Sequence, residues 1–251
     1  MKKLLLQSAL LAAGFLLLAG CTNVATFDYS AAAEPMVSFA GPPEAKSIAV
    51  LPFLDQRSRK SLQQLAPAAD SGSFYLGLLP LMPYGYVKKP FPERSDDFVS
   101  LGRFHFNPSL DLAEASVLSL KASRLFGRVE LADSAGRTDA EYLWRGSVNN
   151  TFYSGAMLTY CISYFLSPAL WAVGAPEGVS RNALGVSFEL VERATGRIVW
   201  RYDYDGEDYI VHWIYARIGK DVSLYADLMR QALNLALSDL APRLPELQRS
   251  R

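Results

Sequence analysis

Apolar and polar positions alternate with different periods along the chain, and the periods predict its elements. Leu4 to Leu18 is apolar except for Gln7, Ser8 and Gly14, and follows the basic pair Lys2-Lys3. Lys46 to Asp55 (KSIAVLPFLD) is a short apolar run between turn formers, which predicts a buried strand. Pro52 within it marks a strand end, a bulge or an edge. Asp111 and Glu114 form a capping-box pair. Ala115, Leu118, Ala122 and Leu125 then share one helical face, and Gly127 stands where a C-terminal cap belongs. Arg128 to Ala132 reads as a short strand. Tyr142, Trp144 and Val148 alternate with Glu141, Arg145 and Ser147. Leu184, Val186, Phe188 and Leu190 do the same, Ala194-Thr195-Gly196 turns the chain, and Ile198, Trp200, Tyr202 and Tyr204 return it. That is a β-hairpin with one apolar face. Asp221 to Leu240 carries a broad helical stripe through Tyr225, Leu228, Ala232 and Leu235, and Pro242 stops it. The order predicts an α/β (α+β) two-layer domain: a mostly antiparallel sheet of about five strands with two packed helices.

Two stretches fit no element of that plan. The 30 residues from Ser147 to Pro176 contain no Asp, Glu, Lys or Arg. Within them Leu158, Tyr160, Ile162, Tyr164 and Leu166 alternate with small or polar residues, broken by Phe165. About eleven residues of such alternation match the length of a transmembrane β-strand. A helix is the other reading, since Leu158, Ile162, Phe165 and Ala169 share a face, with Pro168 ending or kinking it. Ser71 to Val87 is also free of charge and reads as an irregular apolar loop ending in Lys88-Lys89. Both segments either cover the sheet or form apolar patches for a partner, for self-assembly or for the bilayer.

Residues 1–20 have the form of a targeting segment, too short in apolar run to span a membrane. With Lys2 and Lys3 gone, the remaining 231 residues carry 23 basic and 25 acidic side chains, a formal charge of −2. That balance argues against nucleic-acid binding, which depends on basic groups displacing counterions. Residues 21–45 are rich in Ala, Ser and Pro and read as a flexible tether. Residues 46–247 then form a single domain with insertions at 57–107 and 154–181.

Leu18-Ala19-Gly20-Cys21 resembles the lipobox of bacterial lipoproteins. The resemblance implies that Cys21 becomes the first mature residue and carries a diacylglycerol on its sulfur. Thr22, in place of Asp, is similar to lipoproteins sorted to the outer membrane. Cys161 then has no partner within the chain, and reads as a small buried hydrophobe. Four further pieces, SIAVLPFLD, SRLFGRVEL, AEYLWRGSV and VSFELVERATGRIVWRY, resemble in this order the fold shared by the curli-secretion lipoprotein, the amino-terminal domain of TolB and the lipoprotein activators of penicillin-binding proteins. Members of this group are mostly envelope scaffolds and assembly factors, and the curli member forms a ring-shaped outer-membrane channel.

Chemistry is sparse. There is no HExxH, GxSxG, GxxxxGK[ST] or CxxC. Two histidines and one spare cysteine make no metal set; His105 and His212 both stand beside aromatics and read as structural. Asp203, Asp205, Glu207 and Asp208 miss EF-hand spacing, because Gly206 falls at the fourth rather than the sixth position. No cofactor is expected. The expectation is a lipid-anchored periplasmic scaffold or assembly factor, not an enzyme, working with envelope proteins or by self-assembly. The alternatives are a subunit of an oligomeric export channel, with 154–176 supplying membrane strands, and an envelope hydrolase.

Overall fold

The computed structural model describes residues 25–30, 32, 34–40, 44–57, 73–74, 84–89, 104–158, 160, 162, 166–216 and 224–245. The signal-like segment, Cys21 and Cys161 lie outside them. In chain order the elements are β1 (Ala25–Thr26), β2 (Glu44–Val50), β3 (Leu54–Asp55), β4 (Ser73–Phe74), β5 (Tyr84–Lys89), β6 (Phe104–His105), α1 (Pro108–Ser123), β7 (Phe126–Leu131), β8 (Tyr142–Leu158), α2 (Ser167–Ala172), β9 (Gly178–Glu192), β10 (Ile198–His212) and α3 (Leu224–Leu240). The architecture is α+β. A five-strand path runs β10-β9-β8-β2-β7, and β3, β4 and β5 join it from the side. β8, β9 and β10 are antiparallel neighbours. β2 is parallel to both β8 and β7, so the sheet is mostly antiparallel but mixed.

β8 is the spine. One edge pairs with β9 throughout, while the other is shared in sequence by β2, β3 and β5. Pro52 lies between β2 and β3, where its missing N–H costs no ladder bond. The chain is held there by Ser109, whose carbonyl accepts from Phe53 N–H at 2.9 Å and whose hydroxyl donates to the Phe53 carbonyl at 2.7 Å. The Phe53 ring lies over Gly146, where any Cβ would collide with it.

Helices α1 and α3 cover one face. Ile48, Trp144, Phe188, Leu190 and Trp200 point into the layer, and Leu112, Leu120, Tyr225, Met229, Leu233 and Leu237 meet them. Trp144 is fully buried, with ring centroids 5.6 Å from Trp200 and 5.4 Å from Phe188. On the opposite face a small cluster of Ala49, Leu143 and Val191 is closed by Ala132 and Ala140.

Helix α1 starts three residues before Asp111, because Pro108 supplies the fixed φ favoured at a first helical position. The expected capping box of Asp111 with Glu114 does not form, because Asn107 is the N-cap; Asp111 lies inside the first turn, where its carboxylate accepts the Asn107 N–H at 2.7 Å. Burial is the main cause that raises its pKa above the usual value. The C-terminal cap is not Gly127. Arg124 takes the left-handed turn with φ 59°, and Gly127 already lies in β7.

The expected tether is also corrected. The described residues between Phe27 and Phe39 are strapped against α1 and α3. The Tyr29 hydroxyl meets that of Ser119, and the Arg230 guanidinium lies 4.3 Å from the Tyr29 ring and donates to its carbonyl. Asn234 accepts the Val37 N–H and donates to the Pro35 carbonyl, both at 3.0 Å, and Phe39 N–H donates to the Ser123 carbonyl. Ala, Ser and Pro made this segment read as a linker, but the aromatics Phe27, Tyr29 and Phe39 set its behaviour.

Candidate functional site

The three long strands continue well past the helices. β8 has 17 residues and β9 and β10 have 15 each. The helix-covered part of β8 ends at a bulge between Val148 and Asn150, where the register against β9 shifts by one. A bulge re-aims the side chains beyond it and strengthens the local twist. Beyond it, Asn150–Leu158, Gly178–Gly185 and Asp205–His212 form a projecting ribbon, flanked by β5 on Tyr153–Leu158.

One face of this ribbon is buried and polar. Thr151, Ser180 and Asn182 are at most 3 % exposed. His212 Nε2 is 2.8 Å from the Ser180 hydroxyl, and the Tyr153 hydroxyl is 3.4 Å from the same oxygen. The Arg57 guanidinium donates to Thr151 Oγ1 at 2.7 Å while pairing with Asp55, which ties the end of β3 to the ribbon. Neither amide atom of Asn182 has a hydrogen-bond partner. Tyr204 lies at the start of this face, its hydroxyl donating to Gln231 Oε1 at 2.6 Å. Its ring crosses Gly206, where any Cβ would collide with the phenol. Burial first, and then the charges of Glu34, Asp205 and Asp208, push the Tyr204 phenol up to about 12.

The other face is half exposed and mixed. Asn150, Phe152, Arg181, Ala183, Asp205, Gly206 and Glu207 line a shallow groove of about 300 Å³. Arg181 and Glu207 pair across neighbouring strands, both more than half exposed, and Tyr209 is 69 % exposed just beyond. The acidic cluster read from the sequence is dispersed by this geometry. Asp203 binds Arg201 at 3.0 Å, and hydrogen bonds from Arg201 and then Ser187 hold its carboxyl below the usual value. Glu207 goes to Arg181, and Asp208 accepts the Tyr209 N–H at 2.7 Å. Among the described residues no three His, Cys, Asp or Glu side chains could hold one metal ion.

At the ribbon's end the expected alternating strand over 158–166 is absent among the described residues. Leu158 is instead the last residue of β8. Tyr160, with φ 54°, and Ile162 lie in turns, Leu166 precedes α2, and Tyr164 and Cys161 lie outside the described residues. The left-handed turn at Tyr160 breaks any strand, and Pro168 starts α2 rather than ending a helix. The insertion bounds shift accordingly: 154–158 and 178–181 are ladder residues of β8 and β9, and the last residues of the expected 71–87 loop belong to β5, which runs on to Lys89. The tip is pinned by aromatic donors. Trp171 Nε1 donates to the Leu158 carbonyl at 2.9 Å and the Tyr160 hydroxyl to the Pro176 carbonyl at 2.6 Å. The Tyr215 hydroxyl donates to the Ala172 carbonyl. Among the described residues no helix is long and apolar enough to cross a membrane.

No protein family model matches the chain, and no curated protein matches it. Among solved structures it is similar to a Xanthomonas campestris protein of family DUF330, at 11% identity and TM-score 0.41, covering 91% of this chain and 98% of that one. It is also similar to a putative neuraminyllactose-binding hemagglutinin homolog from Helicobacter pylori, at 10% identity and TM-score 0.38, covering 88% and 92%. A third is a PelC dodecamer from Paraburkholderia phytofirmans, at 13% identity and TM-score 0.35, covering 82% and 97%. At these identities and scores no role is carried across.

Proposed function

We propose that the chain is a lipid-anchored envelope protein, attached through Cys21 to the outer membrane, whose domain acts as a periplasmic scaffold or assembly factor through protein contacts. The observation that carries the contact half is the projecting ribbon. Its open face interleaves Phe152, Ala183 and Tyr209 with Arg181, Asp205 and Glu207. Aromatic anchors among polar groups suit a protein partner. A lipid-facing barrel strand needs an unbroken apolar outer face, and charges near the bilayer midplane cost about 2–4 kcal/mol each for Arg or Lys. This ribbon is therefore a poor membrane wall, which weighs against the export-channel reading. The anchor half rests on Leu18-Ala19-Gly20-Cys21.

Metabolic labelling with tritiated palmitate tests the anchor: the intact chain takes up label and Cys21→Ser does not. Light scattering of the unlipidated domain tests the channel alternative. One or two subunits in plain buffer agree with a scaffold; a large ring that requires detergent would replace this reading with the channel.

A further inference from the structure

We infer that the ribbon tip around α2 is a second membrane contact, lying in the lipid headgroup region beside the Cys21 acyl chains; this rests on the lipid-anchor reading above. The strap runs along α1 from its N-terminal to its C-terminal end, with α3 alongside at Arg230 and Asn234: Phe27 stacks on Phe106 at 5.3 Å, Tyr29 meets Ser119 and Phe39 meets Ser123. Phe27 therefore lies at the end of the helix pair from which the ribbon projects. Its level on the ribbon is fixed by a chain of contacts. Phe106 stacks on Tyr225 at 5.2 Å, and the Tyr225 hydroxyl donates to the Phe152 carbonyl at 2.7 Å.

Two lengths then match. Cys21 is six residues before Phe27, a reach of at most about 21 Å. Leu158 is six residues after Phe152, about 20 Å along a strand. Lipid on Cys21 can therefore reach the plane of the tip but not far beyond it, which lets an anchored domain rest its tip on the bilayer surface.

The tip is built for that position. Its aromatic donors are spent on the backbone carbonyls of Leu158, Ala172 and Pro176, which leaves apolar surface outward. Leu166 is 61 %, Val173 82 % and Tyr215 71 % exposed, with Tyr160 and Ile162 over a third exposed. No charged side chain occurs from Ser147 to Pro176, so no charge on that segment resists transfer into the headgroup region. Aromatic and aliphatic groups with satisfied polar atoms are what this zone accommodates.

The test uses the full lipidated chain in a Cys161→Ser background, with Val173→Cys or, as control, Thr195→Cys carrying an environment-sensitive fluorophore. The protein is reconstituted in phosphatidylethanolamine–phosphatidylglycerol vesicles with and without doxyl-labelled lipid, after intact mass has been measured. The proposal expects quenching at 173 at least twofold greater than at 195, which sits on the turn between β9 and β10 at the far end of the sheet. Equal quenching at the two positions with acylated Cys21 would overturn the tip contact and leave the anchor standing. A mass without acyl chains would overturn the anchor reading, and the tip contact with it.

Discussion

Between Tyr142 and Val148, strand β8 turns Trp144 and Val148 into a layer sealed by two helices. Between Thr151 and Gly155 the same strand turns Thr151, Tyr153 and Gly155 to its buried side. β9 repeats the contrast, with Val186, Phe188 and Leu190 in one half and Ser180 and Asn182 in the other. The backbone ladder runs through both halves, offset in β8 by the bulge between Val148 and Asn150. What changes is the source of stability: apolar area at about 25 cal/mol per Å² in the first, hydrogen bonds of about 1 kcal/mol net in the second. A ribbon held by ladder bonds and a few polar contacts can be altered with little loss of the fold, and that freedom suits a surface that meets other molecules.

The contrast is sharpest in its largest predicted effect. Trp144→Ala should cost about 3–5 kcal/mol in urea unfolding, the usual range for deleting a fully buried large aromatic. Phe152→Ala, on the half-exposed face of the same strand, should cost under about 1 kcal/mol. Similar losses at both positions would erase the distinction between the halves.

Asn182→Leu should be neutral or stabilise by up to about 2 kcal/mol, since the fully buried amide has no hydrogen-bond partner to lose. A clear loss in the same unfolding assay would show that the amide is satisfied. Tyr225→Phe removes the hydroxyl that joins α3 to the ribbon at the Phe152 carbonyl, and should cost about 1 kcal/mol. Hydrogen exchange should speed up in 150–158 and not in 142–148.

The last effect is a pH dependence. The Tyr204 phenol titrates near 10 in an unfolded chain and is pushed up to about 12 in the folded one. Between those values the unfolded chain has released a proton that the folded chain keeps. Stability therefore falls as pH rises through the window, and Tyr204→Phe should flatten this part of the profile. A profile unchanged by the substitution would mean that another group governs it.

The helix-covered half was legible because burial against helices demands apolar residues at a fixed period, and Tyr142–Val148, Leu184–Leu190 and Ile198–Tyr204 supply it. The ribbon was not, because Thr151, Ser180 and Asn182 are buried without being apolar, so the period-2 signal fades while the ladder continues. The alternation at 158–166 carried the reverse error, since Tyr160 turns the chain where the pattern called for a strand. The strap was hidden by its Ala and Ser content. A signal existed there: Phe27, Tyr29, Met36 and Phe39 are too apolar for a solvated linker. His212 reads as structural from its place beside Trp213, but its bond to Ser180 depends on pairing between β9 and β10 that extends beyond the readable hairpin.

The central claim is that a lipid on Cys21, and not the sheet, holds this protein at the membrane. Its most direct test is the distribution of the full chain and of Cys21→Ser between membrane and soluble periplasmic fractions of a two-membrane bacterium. The account predicts wild type in the outer-membrane fraction and Cys21→Ser released to the soluble one, because the ribbon tip alone is too small an apolar surface to hold the domain. Cys21→Ser remaining with the membrane after a high-salt wash would contradict it, and would make the sheet itself the membrane-inserted part.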